Sequence, residues 1–337
     1  MKSQFLYAMC LFSVVFSGSV FGFDVFDSNY TWETYATYPI TSAARGTVSG
    51  MTFDADGNLY LLQRGINLSA QDSGIFKIDS SRTVSLFASG LNAGGRIVYG
   101  GGTSYGDYLY VTDFNSSTSR TYGSVMKVGM DSTVRTFNTS IQSPFAVTIF
   151  ECGGYGDTMY IANLANDHLY SLSTTGTASL FSSFPDDAPD GIKAIAFDYS
   201  GKYGGGMYVC GSSTDENYDG IFSISATGEA TLFSNPLYMQ SDMAFGSDEF
   251  DNDMFITGVT VAGGVDKIFH VDTDGNVTLF AEQSGCYISS FIFGPDGSMY
   301  TAYNDSGIIN VIRINEIPEP CTIALLGFGA VMLRRRK

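Results

Sequence analysis

Few residues in this chain could do acid–base or nucleophilic chemistry, and they are scattered. Among 337 residues there are two histidines, His168 and His270, and neither has a second histidine or a nucleophile at a working spacing. There is no Gly-x-Ser-x-Gly elbow and no HExxH pair, so the sequence offers neither a strained serine turn nor a two-histidine zinc face. Five cysteines occur without a CxxC. Cys152, Cys210 and Cys286 read as buried small hydrophobes, with one disulfide as the alternative. Three acidic clusters could present hard oxygen ligands to calcium: Asp186/Asp187/Asp190, Asp215/Glu216/Asp219 and Asp248/Asp251/Asp253. Each also reads as a solvated acidic loop. Asp272-Thr273-Asp274-Gly275-Asn276 fails as an EF-hand, because its glycine is fourth where the sixth is needed and no Glu closes the loop. It reads as a turn.

The elements that must position these residues are repeated. An apolar segment ending in Phe or Tyr is followed by a Gly/Asp turn and a segment ending in an apolar–Tyr pair. A short alternating segment and one reading roughly Thr-x-Leu-Phe complete the unit. The closing aromatic of the first segment recurs at Phe53, Tyr99, Phe150, Phe197, Phe245 and Phe293, at intervals of 46, 51, 47, 48 and 48 residues. Four half-buried strands per unit of this length is the signature of propeller blades. The sixth unit lacks its fourth strand, and Tyr30–Ala36 has the matching alternation. Pairing it beside the sixth blade closes the ring and hides both edges. The sequence therefore predicts an all-β, six-bladed β-propeller over residues 23–316, closed by an N-terminal strand. Tyr105-Gly106-Asp107 and Tyr155-Gly156-Asp157 read as hairpin turns in which Asp caps backbone N–H groups.

This blade grammar, in stretches such as FDADGNLY and FGPDGSMY, resembles the NHL-repeat, SMP-30/gluconolactonase-like and streptogramin-lyase-like propellers. The resemblance implies that loops entering each first strand form the ligand face, and that the first-strand starts line a central channel. The channel column is then Gly50, Arg96, Val147, Ala194, Asp242 and Ser290, with Arg96 and Asp242 directly across the ring. Arg96, Asp242, Ser290, Asn163 and Asn304 are the channel candidates. An SMP-30-like lactonase holds one divalent cation in its channel, and here Asp242 is the candidate ligand, with Asn163 and Asn304 from nearby loops. Gly50 stands where a first-blade acid would be needed. Both histidines fall on third strands, away from the channel, so no residue is assigned a catalytic role.

The two ends carry address labels. Lys2, an apolar run from Phe5 to Phe16 and small residues to Gly22 form a secretory signal over residues 1–22, for removal by signal peptidase. The cut is placed after Gly22, with Ser19 the nearest alternative. Pro318-Glu319-Pro320, an apolar run from Cys321 to Leu333 and Arg334, Arg335, Arg336 and Lys337 fill residues 317–337. This order resembles the PEP-CTERM sorting signal, which an exosortase-type processing enzyme recognises and removes. The run is short for a permanent span of about 20 residues, so membrane anchoring is expected to be transient. The net charge of −17 repels nucleic acid and anionic lipid, which excludes nucleic-acid binding. Together these observations predict an exported, cell-surface or extracellular protein without a cofactor. Its expected role is a non-catalytic binding or scaffold disc associated with exopolysaccharide or biofilm, with a polysaccharide or surface protein as partner. Asn67, Tyr122, Asn217 and Tyr218 on the longer loops are the expected sugar contacts. The alternative is a metal-dependent hydrolase or lactonase of SMP-30-like type, using the channel and one cation of the Ca2+ type.

Overall fold

The computed structural model describes residues 22–318, except 41–45, 66–72, 93, 115–122, 151–152, 166–167, 185–190, 212–219, 236, 261–263, 265–266 and 289. The export and sorting segments lie outside the described residues but for Gly22, Ile317 and Pro318. So do the loop residues Asn67, Tyr122, Asn217 and Tyr218 and the acidic clusters at 186–190 and 215–219.

Six antiparallel sheets follow one another along the chain. Their first strands are Thr47–Phe53, Gly94–Tyr99, Pro144–Phe150, Ile192–Phe197, Tyr238–Phe245 and Phe291–Phe293. Each first strand touches its neighbours, and the sixth returns to the first, so the strands surround a common axis. Strand Tyr30–Pro39 pairs in antiparallel register with Ile308–Glu316, from Tyr30 opposite Glu316 to Pro39 opposite Ile308. The sixth blade is completed in this way by the N-terminal part of the chain, as the sequence predicts. A further strand was not legible there. Phe23–Val25 pairs with Val277–Gln283 and gives the fifth blade five strands. The chain start is therefore stitched into two adjacent blades. The other described elements are strands and two three-residue 3-10 turns.

The repeated aromatics do two jobs. The first-strand aromatics fill the wedge between blades: Phe150 stacks on Phe197 at 3.6 Å and 6°, and Phe53 meets Tyr300 edge-on at 5.0 Å. Second-strand tyrosines Tyr60, Tyr110 and Tyr160 are fully buried. Their hydroxyls need partners there. They donate to the Asp54 carboxylate and to the carbonyls of Tyr105 and Tyr155.

The Tyr-Gly-Asp hairpins are more than Asp-capped turns, and here the sequence reading is corrected. Tyr105 of blade 2 donates to the Leu172 carbonyl of blade 3 and accepts the Met159 N–H. Tyr155 of blade 3 does the same to Ile224 and Met207 of blade 4. Tyr203 repeats the joint with Val271 and Met254 of blade 5. Each tyrosine thus bridges the second and third strands of the next blade. The aspartates are secondary: Asp107 accepts from Tyr99, and Asp157 from the Ser104 N–H of the neighbouring blade. Towards the rim, Asn138, Ser182 and Ser234 donate to the carbonyls of Gly176, Gly228 and Gly275 in the following blade. Two hydrogen-bonded joints therefore lock blades 2 to 5.

Asp198 organises the hairpin that carries Tyr203. It accepts the N–H groups of Ser200, Gly201, Tyr203 and Gly205 and the Ser200 hydroxyl. Burial pushes its carboxyl up, but these hydrogen bonds outweigh burial and hold it below the usual carboxylate range.

Two predictions follow from these joints. Tyr155→Phe leaves a buried carbonyl and N–H without their partner and is expected to cost about 1–3 kcal/mol in chemical denaturation. A loss below about 0.5 kcal/mol, the level of an ordinary surface change, would contradict the joint. Asp198→Asn is expected to destabilise at neutral pH. A depressed carboxyl stabilises the fold above its unfolded pKa of about 3.9 and loses that effect as pH falls through its folded value. The gap between variant and wild type must therefore shrink on acidification, and a pH-independent gap would refute the assignment.

Candidate functional site

The wedge shape of the blades leaves a cavity along the axis, with a volume of about 350 Å³. Its floor lies at the level three residues before the closing aromatic of the first strands, at Arg96, Asp242 and Ser290. Arg96 opens the pattern of blade 2 and Asp242 that of blade 5, and both are buried. The sequence places them across the ring; the structure brings them together, with Arg96 Nη2 3.5 Å from Asp242 Oδ1. Arg96 also donates to the carbonyls of Ser49 in blade 1 and Ser241 in blade 5, and its guanidinium lies 5.4 Å from the Phe145 ring centroid. One side chain thus spans the channel and ties three blades.

Asp242 is equally committed. Oδ1 accepts the Met243 N–H at 3.0 Å, Oδ2 accepts the Phe291 N–H at 3.1 Å, and Ser290 donates from its side chain. Burial pushes the Asp242 carboxyl above the usual range, against the opposing pull of Arg96 and these hydrogen bonds. A buried carboxylate beside a guanidinium, lining a cavity, is the arrangement in which perturbed acids accompany function.

The cavity extends from this floor towards the hairpins joining first to second strands. Tyr199, Ser200, Gly246 and Asn252 form that rim. This differs from the ligand face expected from the sequence, which lies at the opposite end, where the first strands begin. Of the five channel candidates, Arg96, Asp242 and Ser290 converge. Asn163 and Asn304 do not line the cavity. Asn163 is fully buried, and its side-chain oxygen accepts the His168 N–H. Asn304 bridges the Gly46 carbonyl and the Gly307 N–H. Both shape loops. The apolar wall was missed by sequence reasoning, although the first-strand aromatics Phe197, Phe245 and Phe293 that belong to it were visible as a repeat.

The remaining reactive groups stand away from the floor. His270 pairs with Asp253 at 2.7 Å, and Asp253 also holds Lys202 and the Tyr203 hydroxyl, so this acid belongs to a blade 4–blade 5 joint. Asp272 accepts the N–H groups of Asp274 and Asn276, the turn expected from the sequence. Cys210 and Cys286 are free thiols, and burial pushes the Cys210 thiol up to about 12, which makes it a poor nucleophile. Cys152 lies outside the described residues.

No family model and no curated protein sequence matches the chain. Solved structures do. A gluconolactonase from Xanthomonas campestris aligns with a TM-score of 0.58 at 11% identity, over 86% of this chain and 90% of its own. Virginiamycin B lyase from Staphylococcus aureus aligns at 0.54 and 10% identity, over 86% of this chain and 100% of its own. Regucalcin from Agrobacterium tumefaciens, a calcium-binding protein, aligns at 0.55 and 14% identity, over 85% of this chain and 97% of its own.

The last comparison corrects the expectation of a chain without a cofactor. A propeller of this fold binds calcium, so metal-free operation is not a property of the architecture. The channel floor of this chain nevertheless does not fit such an ion. The Arg96 guanidinium already stands 3.5 Å from Asp242 Oδ1, and its positive charge opposes a second cation there. A Cβ at Gly50 would lie 3.0 Å from the Ile97 N and 3.1 Å from the Arg96 Cα, so a first-blade acid there would press on the backbone of blade 2. Among the described residues no three His, Cys, Asp or Glu side chains converge to hold a metal. At these identities the comparisons establish the fold: the chain is a six-bladed β-propeller resembling the SMP-30/gluconolactonase-like propellers.

Proposed function

We propose that the chain is a hydrolase of small carboxylic esters or lactones that works in the central channel. This reading replaces the non-catalytic matrix disc favoured by the sequence. The observation that carries it is the cavity of about 350 Å³ lined by a buried carboxylate–guanidinium pair. The fold it shares with a gluconolactonase supports it. A scaffold disc has no need of a charged pair at the end of an internal cavity, since burying two charges is costly unless they are well paired.

The floor residues can take the following parts in a hydrolytic sequence. Asp242 takes a proton from a water molecule as the water oxygen bonds to the acyl carbon. The carbonyl π electrons move onto oxygen, and the positive charge of Arg96 faces the oxyanion. Collapse re-forms the carbonyl and breaks the acyl–oxygen bond. The leaving oxygen recovers the proton from Asp242. Ser290 and the Met243 and Phe291 N–H groups hold the carboxylate in place.

A colorimetric screen of lactones and esters is expected to show turnover. Asp242→Asn is expected to lower kcat at least a hundredfold, in line with removal of a general base. The acid limb of the wild-type pH profile should lie above the usual carboxylate range, because Asp242 must be ionised to act and burial raises its pKa. Absence of turnover across the panel, or full activity in Asp242→Asn, would refute the reading.

We also propose that the propeller is exported and sorted to the cell surface or released. The support is the Lys2 and Phe5–Phe16 leader and the Pro318–Lys337 tail, with signal peptidase and an exosortase-type enzyme as partners. An intact mass of protein recovered from the native host is expected to lack both segments, and a full-length mass in the cytoplasm would contradict it.

A further inference from the structure

Chemistry-bearing side chains in the channel are distributed unevenly. Charged and hydroxyl groups occupy the floor, where Arg96, Asp242 and Ser290 meet, and polar groups return at the rim with Ser200 and Asn252. Along the first strands between these levels the wall is largely apolar, with Ile97, Val147, Ile195, Met243, Phe245 and Phe293 lining it. Thr52 and Thr148 are the hydroxyl side chains along this wall, and that of Thr52 already accepts the Tyr99 N–H. At the mouth Tyr199 is 67% exposed, and its ring centroid lies 5.3 Å from Phe150 and 6.3 Å from Phe197. An exposed aromatic ring continues the apolar wall out to the solvent.

We infer that the channel selects an acyl compound with an unbranched apolar chain, and that it discriminates against polyhydroxylated sugar lactones. The inference rests on the hydrolase reading for its reacting group and adds the substrate class. The carbonyl end sits against Arg96 and Asp242. The chain runs along the wall towards Tyr199, which is a specificity-determining residue in contact with its outer end. A sugar lactone would have to bury hydroxyl groups against carbon, losing water without replacement. An alkyl chain gains from the same wall, roughly fourfold in affinity per buried methylene. The cavity lies at the small end of ligand sites, which span about 300–1,000 Å³, so the gain must end at a modest chain length.

The test separates binding from turnover by using ligands that cannot be hydrolysed. Calorimetric titration of the wild-type protein with 3-propyl-, 3-butyl- and 3-hexylcyclopentanone is compared with D-gluconolactam. Affinity is expected to rise roughly fourfold per methylene, with the lactam unable to displace the hexyl ketone. Tyr199→Ala is expected to keep the wild-type melting temperature and to bind the hexyl ketone severalfold more weakly. Tighter binding of the lactam, no gain with chain length, or unchanged hexyl-ketone affinity in Tyr199→Ala would each overturn the inference. Turnover of lactones together with lactam preference would defeat the apolar selection and leave the hydrolase reading standing. The chain-length gain without turnover of the matching lactones would defeat the hydrolase reading and leave an apolar ligand site.

Discussion

Everything in this propeller depends on closing the ring. Six sheets arranged about an axis have two free edges unless the ends of the chain meet, and a free edge strand exposes a row of unpaired N–H and C=O groups. Here strand Tyr30–Pro39 completes the blade built from Phe291–Glu316. Phe23–Val25 then continues into the neighbouring blade, so two blades share the same terminal segment. The pairing reaches Ile317, which donates its N–H to the Asn29 carbonyl.

A closed ring fixes the geometry at its centre. The tyrosine joints from Tyr105, Tyr155 and Tyr203 set the spacing of successive blades, and the first strands inherit that spacing. Only when the strands are so held can Arg96 reach across to Asp242 while satisfying the carbonyls of Ser49 and Ser241. The pair is costly to bury and specific to this register, which ties the electrostatics of the floor to the closure of the whole domain. The same spacing holds the apolar walls of the first strands apart around the cavity.

How far this was legible in the sequence depended on whether a feature repeats. Phe53 to Phe293 recur at nearly constant intervals, so blade number and the missing sixth-blade strand could be read directly. Phe23–Val25 could not, because three residues next to a leader carry no periodicity. Two of the tyrosine joints, at Tyr105 and Tyr155, were visible as Tyr-Gly-Asp, but their partner carbonyls lie 67 and 69 residues away and belong to another blade. Arg96 and Asp242 stood out as charges in an apolar column. Their contact depends on the width of the channel, which no spacing encodes. Asn163 and Asn304 were drawn in by residue type alone, and their amides turned out to serve backbone groups of the loops.

The most direct test of the account is a crystal structure of the chain soaked with a non-hydrolysable cyclic ketone. The account predicts the ketone inside the axial cavity, its oxygen within hydrogen-bond distance of Arg96 and the Arg96–Asp242 pair intact. A ketone seated outside the channel, or a cation on Asp242 with Arg96 displaced, would contradict it.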